Sequence, residues 1–415
     1  MENKDTLQNG TAFWKGMSSD KIPPEGSKSM IFHTEPVAVH GQFHPIISEN
    51  RDPVEKDADE RLRKLCEKAL RKRYGREQQG EAEKKLAWEL AALRKKGMAP
   101  LFLFCREWMD EAGLTAWDIC GRGNLGCSMV AYLIGITDID PFRYDLAPEF
   151  FFGYDGEKDV DVVINIPSSL RKKVEETANI REGVFTVYRA GKNHISFFLH
   201  DVLEILRRLS KSTGVKLSDI PYDAADDAMG LFCTDKGIRR NPAWGDLRDF
   251  QSEYGRILME KAPLKTFDDW VRFFCLIHGT WAWQEMGEAM WGKSGNELAI
   301  FSSPEDLFDA CLRAGIPRKE AFQIAMTVKL GKASPDWYPE WRKMRKTMLD
   351  TGIKEQRVNA CEKTRYLFPK AHAIAYVQMY RKAGWFRTHY EQEYRQVLEE
   401  YEKAGMKPVR SDIKY

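Results

Sequence analysis

The sequence predicts an α+β fold, a mixed α/β half followed by a mainly helical half. Three observations predict it. Residues 57–96 are highly charged yet carry two apolar stripes at helical spacing, Asp159–Ile166 is rich in valine and isoleucine, and beyond Ser218 the pattern is helical between prolines. With 415 residues, 43% hydrophobic and 30% charged, the chain has room for two or three domains and the composition of a globular rather than a disordered protein.

Residues 1–56 hold Gly, Ser, Pro and His without clear periodicity and read as an irregular arm. Within it His33, His40 and His44 follow no ligand spacing and read as loop histidines. A first domain, 57–221, opens with two amphipathic helices. Leu62, Leu65, Ala69 and Leu70 form one stripe, Leu86, Leu90 and Leu93 the other, with a break expected between Gly75 and Gly80. The apolar segment Leu101–Phe104 leads to a glycine-rich loop and then to Met129–Ile136. Asp159–Ile166 is the clearest strand, Ile195–Leu199 a second, and Asp201 is placed to cap a helix over Val202–Leu209. A second domain, 222–395, is helical, with turns near Pro242, Pro263, Pro304, Pro317 and Pro335; residues 396–415 form a tail. There is no internal repeat.

Composition narrows the function classes. No apolar run approaches a membrane span and Met1-Glu2-Asn3-Lys4-Asp5 opens no signal-peptide core, so a cytoplasmic location and no membrane partner are expected. The eight cysteines include no Cys-x-x-Cys pair, which predicts reduced, mostly buried thiols and no zinc ribbon. A net charge of +2 says little, but basic residues cluster at Arg61–Arg76 and Arg342–Lys346. Helical spacing assigns the first cluster to solvated faces, and both clusters permit DNA contact.

Three stretches bear on chemistry. In Tyr366-Leu367-Phe368-Pro369-Lys370-Ala371-His372, a proline opens a helix whose first turn holds Lys370 and His372, where free N–H groups and the helix dipole favour an anion. The alternative is an ordinary helix start packed on its alanines. Cys120-Gly121-Arg122-Gly123-Asn124-Leu125-Gly126-Cys127-Ser128 is either a structural turn or a phosphate loop, in which glycines admit the backbone and Arg122 supplies charged hydrogen bonds. Asp159-Val160-Asp161 offers two carboxylates at i and i+2, the spacing that puts both on one face of a strand. Trp281, Trp283 and Trp291 read as core side chains in preference to base-stacking ones.

These stretches resemble, in order, the bacterial C-family replicative polymerases, the PolC-type DNA polymerase III alpha subunits above all. The loop is similar to the family's Gly-Ser-Arg-Gly-Ser-x-Gly-Ser-Ser, with Arg122, Gly123, Gly126 and Ser128 matching and Cys120, Gly121, Asn124 and Cys127 departing from it. Gly135–Pro141 resembles Gly-Ile-Thr-Glu-Val-Asn-Pro. Asp226-Asp227-Ala228-Met229-Gly230, His278-Gly279-Thr280, Lys329-Leu330-Gly331-Lys332 and the Phe368–His372 run resemble fingers segments. The resemblance implies a reduced nucleotidyltransferase-like palm followed by helical fingers. It implies nucleotide- or phosphate-binding by Arg122, Gly123, Gly126, Ser128, Lys329, Lys332, Lys370 and His372, and DNA, dNTP and a replication protein as partners. No cysteines lie between Phe142 and Phe152, so the family's zinc module is not expected.

The family's metal site is matched less well. Without gaps, Asp161 and Val163 fall on the paired aspartates and Asn165 on the asparagine that follows; a two-residue shift puts Asp159 and Asp161 there instead. In the third-aspartate segment, His194–Asp201, Ser196 holds the aspartate's place, and Val187-Tyr188-Arg189-Ala190-Gly191 runs almost directly into it where the family has a long stretch of palm. The implied function is a polymerase core remnant with impaired catalysis that binds DNA or a replication partner. The alternative is a minimal DNA polymerase in which Asp159 and Asp161 are catalytic, hold Mg2+ and act with a relocated carboxylate.

Overall fold

The computed structural model describes residues 53–177, 179–181, 184–190, 193–221, 264, 266–282, 301–336 and 338–404. His33, His40, His44, Cys233, Trp283, Trp291 and the Asp226–Gly230 motif lie outside them.

The charged stretch forms α1 (Pro53–Arg73) and α2 (Arg76–Lys95), an antiparallel pair. The break falls at Tyr74 and Gly75; Gly80 lies inside α2, its missing side chain facing open space, so it did not have to end the helix. Leu62, Cys66 and Leu70 are buried, whereas Leu65, grouped with them by spacing, is 41% exposed. The apolar segment becomes α3 (Ala99–Glu111), and Ser128 caps α4 (Met129–Ile134) by accepting from the Ala131 N–H at 3.1 Å.

Strand β1 (Cys120–Gly121) precedes the glycine loop, and the four-residue helix α5 (Glu149–Phe152) leads into β2 (Asp161–Pro167). There follow α6 (Arg171–Thr177), β3 (Asn179–Arg181), β4 (Val184–Ala190) and β5 (Asn193–His200). The five strands form one sheet of order β1-β2-β5-β4-β3, in which β2 and β5 are parallel and the other neighbours antiparallel. Val162, Ile164, Ile166, Ile195 and Phe197 are buried on one face of the parallel pair, where the Trp108 ring of α3 lies 4.2 Å from Phe197. Helix α7 (Asp201–Thr213) leaves the end of β5; His200 is its cap and Asp201 its first residue, so the helix starts one residue earlier than the sequence placed it.

The helical half comprises α8 (Phe267–His278), α9 (Pro304–Arg313), α10 (Arg318–Lys329), α11 (Glu340–Asp350), α12 (Glu355–Lys363), α13 (Lys370–His389) and α14 (Glu391–Lys403). Thr266 and Asp269 close a capping box on α8, and Ser303 with Pro304 starts α9. An aromatic cluster of Phe150, Phe308 and Phe322 joins the two halves. Helix α13 is buried along most of its length and packs on α7, α8 and the glycine loop, so it brings the end of the chain onto the sheet. Trp281 is half-buried with φ +62. Among the described residues all seven cysteines are free and buried, with thiols pushed up by burial.

Candidate functional site

The site is built on one face of the β2–β5 pair. Side chains two apart on a strand share a face, so Asp161, Val163 and Asn165 point the same way. The register sets Asp161 against His194, Val163 against Ser196 and Asn165 against Phe198. The three positions that the ungapped reading allots to the family's aspartates, Asp161, Val163 and Ser196, therefore meet on one face. Asp161 is half exposed and its Oδ1 lies 2.9 Å from His194 Nδ1; Val163 is half-buried and Ser196 buried.

The shifted reading finds less room. Asp159 lies before β2 begins, so the strand geometry that would pair it with Asp161 does not reach it; its Oδ1 is 3.2 Å from Lys96 Nζ. Asp201, the one carboxylate open to relocation, sits past the far end of β5. That is seven residues beyond the partner of Asp161, about 23 Å at the rise of a strand, and its Oδ1 accepts from the Tyr401 hydroxyl at 2.6 Å.

The glycine loop lies across this face. The Arg122 N–H donates to the Val163 carbonyl at 2.9 Å, continuing the β1–β2 pairing. Its guanidinium donates to Asn165 Oδ1 at 3.2 Å and to the Tyr376 hydroxyl at 2.9 Å, and lies 4.6 Å from the centre of the Phe198 ring. Asn165 Nδ2 donates to the same hydroxyl at 2.9 Å. Gly123 turns the loop at φ +58. Gly126 allows close approach, since a Cβ there would lie 3.1 Å from Ile139 Cγ2 and 3.4 Å from the Ala371 methyl at the start of α13. Ser128 is buried and donates to Glu89 Oε2 at 2.9 Å, while the Met129 and Val130 N–H groups donate to the same carboxylate at 2.8 and 3.0 Å. Burial raises Glu89 to about 7 against these donors.

The start of α13 is also engaged from within. The Lys370 N–H donates to Glu305 Oε2 at 3.1 Å, and its ammonium pairs with Asp306 Oδ1 at 3.3 Å, which, despite burial, holds the Lys370 pKa above the ordinary lysine value. The anion that a helix N-terminus attracts is thus a carboxylate of this chain at both α4 and α13. The His372 ring stacks on Phe368 at 4.7 Å and meets the edge of Tyr376 at 4.8 Å, and its Nε2 is buried with no hydrogen-bond partner among the described residues. Burial first, then the nearby Arg122 and His278, keep this imidazole neutral well below the usual histidine range.

Three separated stretches converge on this helix start. Thr280 exchanges backbone hydrogen bonds with Arg365 and Tyr366, and the Leu367 N–H donates to the Lys329 carbonyl. Gly331 needs its φ of +65, and a Cβ there would fall 2.3 Å from the Arg365 carbonyl oxygen. Lys329 is buried in the last turn of α10, near Glu305, whereas Lys332 is exposed on the rim of a groove of about 610 Å³ that Phe322, Met326 and Tyr338 also line.

The structure thus brings together Arg122, His372 and the sheet face bearing Asp161, with Gly123 and Gly126 shaping the loop. It sets Asp159 and Lys332 apart, and it commits Ser128 and Lys370 to carboxylates of the chain. Tyr376, Glu89 and Glu305 were not singled out from sequence. Tyr376 stands at i+4 from His372, a spacing that shares a helix face, and Glu89 interrupts the stripe Leu86, Leu90, Leu93. Two Mg2+ ions need carboxylates from more than one position of a shared face. Among the described residues only Asp161 supplies one on this face, and no group of three His, Cys, Asp or Glu side chains among them is disposed to hold a metal. These residues do not fit a two-metal centre.

Comparison with known proteins gives this geometry a lineage. Residues 60–209 match the family described as "Bacterial DNA polymerase III alpha NTPase domain". The "DNA polymerase III PolC-type" of Thermotoga petrophila is 21% identical over 490 residues, covering 84% of this chain and 35% of that protein. That of Mycoplasmopsis pulmonis is 28% identical over 204 residues, 47% of this chain and 14% of that protein. The "DNA polymerase III subunit alpha" of Halalkalibacterium halodurans is 35% identical over 133 residues, 31% of this chain and 12% of that protein. The chain spans about a third of the length of the PolC-type relatives that it matches over most of its own length. An alignment of 490 positions exceeds the 415 residues here, so the relative carries segments that this chain lacks. Residues 60–209 thus match the DNA polymerase III alpha family, and similarity to PolC-type DNA polymerase III proteins extends over most of the chain.

Proposed function

We propose that this chain is a PolC-related core that binds DNA in replication and does not perform two-metal nucleotidyl transfer. In this reading β2 and β5 belong to a reduced palm, and the helices from α8 to α13 to a fingers-like domain. The register pairing of Val163 with Ser196 carries the proposal: the positions that should bear carboxylates are in register with each other, and two of the three hold side chains with no charge. Arg122 and His372, with Gly123 and Gly126 shaping the loop, keep a place for nucleotide or DNA phosphate, which the buried Lys329 and the distant Lys332 do not join. Ser128 and Lys370 hold its frame, each through a carboxylate of the chain.

Metal binding tests the vacated position directly. Val163→Asp would place a second carboxylate two residues from Asp161 on the same face, at a half-buried position. The expected outcome is saturable stabilisation of this variant by Mn2+ in thermal unfolding, with no such response in the unsubstituted protein. A saturable response in the unsubstituted protein that Asp161→Ala abolishes would contradict the proposal and favour the minimal polymerase.

A further inference from the structure

Away from the sheet face, the outer surface of α1 forms one wall of a groove of about 460 Å³, closed by α3 and the C-terminal end of α4. Arg61, Lys68, Lys72, Arg73 and Arg106 line it, against Glu107 and Asp110. Arg61 pairs with Glu107 at 2.7 Å and Arg106 with Asp110, while Lys68 and Lys72 pair with no carboxylate among the described residues, nor do the adjacent Arg71 and Arg76. Two guanidiniums are fixed in place. Arg73 donates to the Tyr132 carbonyl at 2.9 Å and lies 4.2 Å from that ring's centre, and Arg106 donates to the Ile134 carbonyl at 3.2 Å. Such fixing lowers the entropy lost when they meet a ligand.

From this placement we infer that the α1–α3–α4 groove is a docking track for the phosphate backbone of duplex DNA. The inference rests on the proposed DNA-binding role and names a surface for it. Arg61, Lys68 and Lys72 recur at helical spacing along one exposed face of α1. They span about 16 Å at the helical rise, a length over which a duplex carries roughly ten phosphates. An extended row of cations suits a regular polyanion better than a compact acidic patch. The track also continues the site: α4, about 9 Å long, runs from the glycine loop at its start to this groove at its end.

The test compares duplex DNA binding across salt for the unsubstituted chain, Lys68→Glu/Lys72→Glu, and Lys211→Glu/Lys216→Glu. The last makes the same charge change on exposed lysines in and just beyond α7. The track predicts that the α1 pair weakens binding at least about tenfold and flattens the log–log salt slope by about 2, with the α7 pair much closer to the unsubstituted protein. Melting temperatures should stay together, because the substituted side chains are exposed. Equal losses in both pairs, or none in the α1 pair, would overturn the track and leave the DNA-binding role standing. No binding by the unsubstituted chain would overturn that role and the track with it.

Discussion

Asp138→Ala should lower the stability of this protein by about 3–5 kcal/mol, the cost of removing one partner from a buried ion pair. The Asp138 carboxylate lies 2.9 Å from Lys382 Nζ, and the two side chains are only 4% and 3% exposed. Once the carboxylate is gone, the ammonium keeps the Trp117 carbonyl at 3.2 Å and the Trp117 ring at 5.1 Å, neither of which offsets a buried charge. The pair ties the loop after α4 to α13, the helix that carries His372 and Tyr376, so the loss should also loosen Arg122. Urea unfolding gives the size of the effect. Asp138→Leu/Lys382→Met, which removes both charges, should recover much of it, whereas a double variant as unstable as the single one would show that something other than the unpaired charge is at work.

Glu89→Ala should cost about 3 kcal/mol at pH 5 and markedly less at pH 8. Its carboxylate serves three buried donors, the Ser128 hydroxyl and two N–H groups of α4, each worth about 1–3 kcal/mol when left unpaired. The pH dependence follows from burial, which raises Glu89 from 4.5 to about 7 in the folded chain. Between those values the folded state holds a proton that the unfolded state has released, so stability from this group falls as pH rises through that window. The alanine variant lacks this slope, and the two proteins should approach each other in stability as pH rises. Chemical unfolding at pH 5, 6, 7 and 8 checks it; a gap that stays constant with pH would mean that Glu89 is ionised throughout.

Local signals carried most of the fold. Stripes at spacings of three and four gave α1 and α2, and the valine-isoleucine run gave β2. The Pro369 start of α13 and the glycine loop were legible because proline and glycine act through the backbone at their own positions. Gly80 misled for the same reason: a glycine on an open helix surface costs propensity without breaking the helix. The site was legible as a set of positions but not as contacts. Nothing local says that Glu89 reaches Ser128, Glu305 reaches Lys370 or Asp138 reaches Lys382, since each pair is dozens to hundreds of residues apart. Strand register is also non-local, and it is what puts Val163 beside Ser196 and strands Asp201 at the far end of β5.

Primer extension on a recessed DNA duplex, with Mg2+ or Mn2+ and all four deoxynucleotides, tests the central claim most directly. The predicted result is salt-sensitive binding of the duplex with no lengthening of the primer, unchanged in Asp161→Ala. Metal-dependent extension that disappears in Asp161→Ala would contradict it, because a single carboxylate on this sheet face would then be enough to assemble the chemistry.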